Sequence, residues 1–314
     1  MNDFNPFCKV KKMQKFINIF IIIILMISFM CTYKFISSQT TIISSINWPY
    51  NDMKYFEIKK SKIMSLKIAI IDSGIDITQP CFNGINIVNV DLTKNNNRKD
   101  IHGTMIGGII CNSILLHIKN EKIMESIKFY SYDVGEDNKI DNELLIRGIE
   151  NAIEIEADII NLSVGTYNDF EELKSKINEA IKKGIIVVCS AGNDFSNRYL
   201  YPASYNEVIS VSSIDMGNEF LYSNNINDQI VVCAPGEKIE TYISDAAIIK
   251  CVNPQISNYE FLDMLKANSI DLGKKGKDSY YGYGLINFKN MYLSSNNFFY
   301  RYYNKILRSL NGRN

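Results

Sequence analysis

The chain has 314 residues, 46% of which are apolar, so it can bury a substantial hydrophobic core in one large domain or two small ones. Its 34 lysine and arginine residues balance 34 aspartate and glutamate residues, which leaves no formal net charge. This balance excludes a protein that binds nucleic acid through a diffuse positive surface.

The N-terminal segment differs from the rest of the chain in charge and hydrophobicity. Residues 1–15 are basic, and residues 16–36 form the apolar run FINIFIIIILMISFMCTYKFI. This run is long enough to cross a bilayer as a signal anchor, and its basic flank predicts a cytosolic N-terminus and an extracellular remainder. A signal peptide, cleaved to give a secreted protein, is the alternative, although no clear small-residue cleavage site follows. Residues 37–65 are predicted to be a linker and an N-terminal surface segment.

From residue 66 the sequence alternates between two patterns. Helix-like spacing of apolar residues occurs over 142–156 and 170–183, with Asp169 and Glu172 as a start signal and Gly184 as a stop. Strands that alternate with helices predict an α/β fold with three layers, α/β/α, around a mostly parallel central sheet. Short apolar runs typical of strands buried on both faces occur at residues 66–71, 127–132, 157–163, 184–190 and 207–213.

The C-terminal third closes the predicted domain. The sequence becomes more strand-like after residue 214, and Ser257 with Glu260 forms a capping-box pattern that predicts a helix over 258–268. We assign the folded domain to residues 66–295. Residues 296–314 are basic and aromatic without an acidic residue, which favours a solvated tail over a membrane-contacting one.

Three polar residues occur at predicted strand ends or helix starts, where functional groups gather in parallel sheets. Asp72 follows a buried strand and precedes a Ser-Gly turn, His102 opens a glycine-containing apolar helix, and Asn193 leaves a strand through Ala-Gly. An imidazole there suits a general base, and a side-chain amide can stabilise a developing oxyanion. A turn residue is the structural alternative for Asn193. The only other histidine, His117, has no such setting.

These blocks resemble the subtilisin-like serine protease family (subtilases, peptidase S8). IDSGID is similar to the family's aspartate motif, HGTMIGG to its histidine motif and SAGN to its oxyanion-hole motif. INLSVG is similar to the segment that lines the substrate cleft, and YPASY, APGE and YYGYGLINF resemble further family landmarks. The resemblance covers about residues 66 to 290.

The resemblance implies an Asp-His-Ser mechanism that hydrolyses peptide bonds. Asp72 would orient His102, which would deprotonate a serine, and Asn193 would stabilise the tetrahedral oxyanion. The backbone of Ser163, Val164 and Gly165 would pair with an extended peptide or protein substrate. Calcium is common in the family, but no carboxylate cluster in this sequence indicates a metal site, and no other cofactor is implied.

The serine motif of the family is missing from this sequence. After APG the family continues to G-T-S-x-A-x-P, whose serine opens a long central helix, but here APGEKIETYISD runs directly into AAIIKCVNP. We therefore expect a truncated central helix and lost or severely reduced activity. Ser244 is a weak substitute, since Asp245 follows it and no glycine permits the sharp turn; an ordinary helix-cap or turn serine explains it better. A non-catalytic module that binds peptides in the retained cleft is the alternative function.

Overall fold

The computed structural model describes residues 65–94, 101–117, 121–136, 139–236 and 243–296. The predicted basic tail, the apolar run and almost all of the linker and C-terminal tail lie outside these ranges. Among the helices within them, none is long and apolar enough to cross a membrane.

The described core is a seven-stranded sheet in which every neighbouring pair of strands is parallel. The strand order is β2-β3-β1-β6-β7-β8-β9. The first strand, β1, therefore lies inside the sheet, with later strands on both sides of it. A small antiparallel pair, β4 and β5, stands apart from it. The strands are β1 (Leu66–Asp72), β2 (Ile87–Asp91), β3 (Ile127–Asp133), β4 (Gly135–Glu136), β5 (Lys139–Ile140), β6 (Ile159–Leu162), β7 (Ile186–Ser190), β8 (Ile209–Ile214) and β9 (Val232–Pro235).

Helices cover both faces of this sheet and complete the predicted three-layer α/β/α architecture. α3 packs on β1 and β3, and α4 packs on β7; on the opposite face α1 and α5 pack on β1 and on each other. The helices are α1 (His102–His117), α2 (Glu121–Glu125), α3 (Asn142–Glu154), α4 (Glu171–Lys182), α5 (Ile243–Val252), α6 (Asn258–Asn268) and α7 (Phe288–Asn296). The predicted fold class is confirmed.

The alternation of side chains along β1 and β3 decides which residues face the site. Ile71, Tyr132 and Val134 are buried in the core beneath α3 and α4. Successive residues of a strand point to opposite faces of the sheet. Asp72 and Asp133 therefore point to the other face, where α1 begins.

Several local predictions agree with the structure and a few are wrong. The capping box of Ser257 and Glu260 is present at the start of α6. Gly184 has a positive φ of 83° just after α4, as its helix-stopping role requires. The start of α4 was predicted wrongly: its N-cap is Phe170, and Asp169 instead accepts a hydrogen bond from the Tyr205 hydroxyl. The sequence pattern also missed strand β2.

Helix α5 buries a charged side chain, Lys250, which is only 5% exposed. Its Nζ atom lies 3.9 Å from Oδ1 of Asp158. Desolvation lowers the pKa of Lys250, although the nearby Asp158 and Glu260 carboxylates act in the opposite direction. A lysine whose pKa is lower in the folded than in the unfolded state destabilises the fold at neutral pH. That cost disappears as the pH rises from the folded-state pKa to the unfolded value, about 10.4.

We therefore expect Lys250→Met to raise the free energy of unfolding at pH 7 by about 1 kcal/mol. Asp158 is partly exposed and keeps its hydrogen bond from the Lys67 backbone N–H, so the substitution leaves no isolated buried charge. Urea denaturation at pH 7 and pH 10 measures the effect, and the advantage of the variant should shrink at pH 10. Lys176→Met, which removes a more exposed ion pair with Glu150, is the matched control. A variant less stable than wild type at pH 7 would show that the ion pair outweighs the burial of charge.

Candidate functional site

A cleft of 560 Å³ opens at the carboxyl edge of the sheet. Its walls come from the ends of β1, β6, β7, β8 and β9 and from the start of α1, as expected where parallel strands end together. All the predicted site residues outside α5 line this cleft: Asp72, His102, Ser163, Val164, Gly165 and Asn193.

Asp72 and His102 form a close pair at the base of the cleft. Oδ1 of Asp72 lies 2.7 Å from Nδ1 of His102 and also accepts the Ser73 backbone N–H at 2.7 Å. Asp72 is 1% exposed, whereas the His102 side chain is 45% exposed. A carboxylate at Nδ1 selects the tautomer with its proton on that nitrogen, so a neutral imidazole presents Nε2 as an acceptor. The pair therefore has the geometry of a general base and its orienting group.

Glycines allow the turn after β1 to approach the start of α1. A Cβ atom at Gly103 would lie 2.3 Å from the Gly74 carbonyl oxygen, which no side chain could tolerate. The Gly103 N–H donates to Oγ of Ser73 at 2.9 Å, and Gly74 itself has a positive φ of 82°. Gly74 and Gly103, one from each motif, thus allow the close contact that holds His102 against Asp72.

Asn193 lies at the exposed rim of the cleft, on a loop that is fixed from below. Asn225 is fully buried, and its Oδ1 atom accepts the backbone N–H groups of Asp194 and Ser196. Gly192 has a φ of 100°, and a Cβ there would collide with the Asn225 amide. The amide of Asn193 is therefore carried by a rigid turn, as an oxyanion donor requires.

The segment from Ser163 to Gly165 forms a second wall. Thr166 and Tyr201 exchange two backbone hydrogen bonds of 2.8 Å, and a Cβ on Gly165 would lie 2.6 Å from the Tyr201 carbonyl oxygen. Ser163 accepts a hydrogen bond from the buried Asn161 amide at 3.1 Å. This wall is held at a fixed distance from residues 200–201.

Residues that the sequence pattern did not indicate complete the rim. The Tyr167 hydroxyl donates to Asp194, and the Arg198 guanidinium lies 3.6 Å from the Tyr167 ring centroid. Desolvation and the Asp194 carboxylate raise the pKa of Tyr167. Tyr167, Asp194 and Asn225 are brought together only by the fold, so no local motif could have revealed them.

Ser244 lies in the first turn of α5, which begins one residue earlier at Ile243. Its side chain lies outside the described part of the structure, so its role as a cap or turn serine stays a prediction. The side chain of His117, the last residue of α1, also lies outside it. In the described ranges, no group of three or more histidine, cysteine, aspartate or glutamate residues could hold a metal ion.

Fold and site together define a class. A doubly covered parallel sheet carries an aspartate and histidine pair at its carboxyl edge, beside a rigid amide and an open cleft. These features define a class of α/β domain in which an imidazole oriented by a buried carboxylate can act as a general base.

Within this class, the chain belongs to the Subtilase family (peptidase S8), which matches residues 64–260. It is 34% identical to the major intracellular serine protease of Bacillus subtilis over 197 residues, 58% of this chain and 61% of that protein. It is 28% identical to the minor extracellular protease Epr of the same organism over 246 residues, 72% of this chain and 38% of Epr. The chain thus spans less than two thirds of the length of these two relatives.

Solved structures of low sequence identity share the fold. A psychrophilic subtilisin-like protease from an Antarctic Pseudoalteromonas superposes with a TM-score of 0.62 at 13% identity, covering 79% of this chain and 96% of that one. A lanthipeptide protease superposes with a TM-score of 0.58 at 20% identity, covering 73% of this chain and 87% of that one. The two Bacillus subtilis relatives are an intracellular and an extracellular protease, so the similarity assigns no single compartment.

Proposed function

We propose that this chain is a serine-endopeptidase domain whose peptide hydrolysis is lost or severely reduced. The observation that carries the proposal is an intact aspartate–histidine pair, with Asp72 and His102 2.7 Å apart, combined with a central helix α5 of ten residues that no G-T-S motif precedes. The base and its orienting group are ready, but no serine of a G-T-S motif stands before the helix.

The position of α5 can be estimated from its contacts. Lys250 in its last turn approaches Asp158, which precedes β6 and exchanges hydrogen bonds with Lys67. Helix α5 therefore runs from the cleft toward the amino edge of the sheet. Ser244 precedes Lys250 by six residues and so lies about 9 Å nearer the cleft along the helix. Asp72 follows Lys67 by five residues and so lies about 16 Å nearer the cleft along the strand.

Helix α5 thus rises less along the sheet from Lys250 to Ser244 than β1 does from Lys67 to Asp72. A nucleophile must come within hydrogen-bond reach of its base, about 3 Å. Loss of the serine from such a triad reduces turnover about a millionfold, and the oxyanion hole and substrate binding leave roughly 10³–10⁴-fold over water.

Hydrolysis of quenched fluorescent peptides tests this proposal directly. We expect turnover no faster than about 10⁻⁵ of that of an intact serine protease with the same peptides. Turnover within a hundredfold of such an enzyme, abolished by a serine-directed inhibitor, would contradict it.

Peptide binding without turnover is the second candidate function, and the retained cleft favours it. The wall from Ser163 to Gly165 is kept in place by the Thr166 and Tyr201 backbone bonds, independently of any nucleophile. An extended peptide could add to this wall through backbone hydrogen bonds.

Gly165→Ala is expected to weaken this binding about tenfold, because its Cβ would force the wall away from the Tyr201 carbonyl oxygen. Fluorescence anisotropy with fluorescein-labelled random nonapeptides measures the change. Gly108→Ala in α1 is the matched control, because a Cβ there would meet its nearest neighbour, Sγ of Cys81, at an ordinary 3.5 Å. Equal binding by the two variants would argue against this wall as the peptide site.

We also propose that the apolar run at residues 16–36 tethers the domain to a membrane, with the domain on the extracellular side. Carbonate extraction of membranes from cells that produce the full chain tests the tether. Retention in the pellet supports it, and release of a shortened chain into the medium would support a cleaved signal peptide instead.

A further inference from the structure

Three aspartates lie side by side where β2, β3 and β1 end. The strand register pairs Asp91 with Asp133 and Asp133 with Asp72. Residues paired in register on neighbouring strands point to the same face, and neighbouring strands are about 4.8 Å apart. The carboxylates thus form a row that leads from the sheet edge to the Asp72–His102 pair.

Asp133 is the unusual member of this row because it is buried beside another buried carboxylate. It is 6% exposed and Asp72 is 1% exposed, whereas Asp91 is exposed. Oδ2 of Asp133 lies 3.0 Å from the position of a Cβ on Gly74. Gly74 is also the residue that Gly103 approaches most closely. Asp133 therefore packs directly behind the turn that holds His102 against Asp72.

Two buried carboxylates on adjacent strands destabilise each other's ionised form, and a proton taken up nearby relieves the repulsion. Oδ2 of Asp72 is buried and has no hydrogen-bond partner among the described residues, so the contacts of this carboxylate with the Ser73 N–H and with His102 are both made by Oδ1. His102 is the partly solvated member of the cluster and is the site where an added proton costs least.

We propose that Asp133 is a positioning residue for the Asp72–His102 pair, and that the two carboxylates together keep the His102 imidazole protonated through neutral pH. This inference deepens the proposed function. A protonated imidazole cannot accept a proton, so His102 would act as a general base only at pH values above its own pKa.

The other charged groups around His102 act in the same direction. Asp76, on the turn after β1, and Asp194, on the opposite rim of the cleft, are both acidic. The described lining of the cleft contains no lysine or arginine, and its other titratable groups are Tyr167 and Cys189. All the charged side chains of that lining, apart from His102 itself, therefore favour the imidazolium.

NMR titration of ¹³C-histidine in the full chain tests the proposal, and the signal of the only other histidine, His117, is assigned with a His117→Gln variant. We expect a His102 pKa above 7 in wild type and a fall of about one unit in Asp133→Asn. Asp91→Asn is the matched control, because this carboxylate occupies the same register one strand farther away and is exposed. It should shift the pKa by less than a third as much.

A wild-type pKa of about 7 or below, or an Asp133→Asn value that differs from wild type by less than about 0.2 pKa units, would overturn the inference. If Asp133→Asn does not fold, Asp133→Ser replaces it, and the wild-type value still decides. Because the titration needs neither peptide nor turnover, its failure would leave the proposed loss of hydrolysis untouched, and efficient hydrolysis would not alter the measured pKa.

Discussion

Peptide hydrolysis should rise at least about 10³-fold when a Gly-Thr-Ser-Ala-Ala-Ala-Pro segment, followed by one turn of alanine-rich helix, is inserted between Ser244 and Asp245. The insertion would extend α5 toward the cleft by about two helical turns and place a serine at its new start. Restoring a nucleophile to an intact base and oxyanion donor could return up to a millionfold, and an error of about 1 Å in its position would cost about a hundredfold.

The matched control is the same insertion with alanine in place of the inserted serine. It fills the same space and extends the same helix, so only the hydroxyl differs. We expect the serine version to hydrolyse quenched fluorescent peptides and the alanine version to stay at background. Equal rates from two folded insertions would show that the missing serine is not what limits this chain.

His102→Ala is expected to have very different effects on peptide hydrolysis in the natural chain and in the chain with the inserted serine. In the natural chain the residual rate should stay within threefold, because a base without a nucleophile contributes nothing to turnover. In the chain with the inserted serine the same change should reduce turnover at least about 10⁴-fold, since members of a triad act as a unit.

Rates measured with and without His102 in both backgrounds form a double-mutant cycle. Circular dichroism of each variant serves as the folding control, because His102 begins α1 and its loss could perturb that helix. A large loss in the natural chain would mean that His102 already serves a nucleophile there, and the proposed loss of hydrolysis would then be wrong.

The parallel sheet could be predicted because its strands are buried on both faces. The runs at 66–71 and 127–132 coincide with β1 and β3 to within one residue. Strand β2 escaped notice because it is an edge strand, and its residues from Ile87 to Asp91 are only partly buried or exposed. Its sequence, INIVNVD around the strand, carries too many polar residues for a fully apolar run.

The site residues that could be predicted are those whose side-chain chemistry and local sequence pattern both indicate a role. Asp72 ends an apolar strand just before a glycine turn, Asn193 follows a strand through Ala-Gly, and parallel strands bring such positions to one edge. Asn225 and Asp133 were not predictable in this way. Asn225 acts on a loop 31 residues away, and Asp133 matters only because the register of β3 and β1 places it beside Asp72.

Labelling with a fluorophosphonate probe, followed by intact-mass and peptide mass spectrometry, tests the central claim most directly. The probe forms a covalent bond only with an activated serine, and the chain with the inserted serine is the positive control. We predict no stoichiometric adduct on the natural chain. One adduct on a single serine, such as Ser244, that disappears in His102→Ala would contradict the claim and make this chain a working protease.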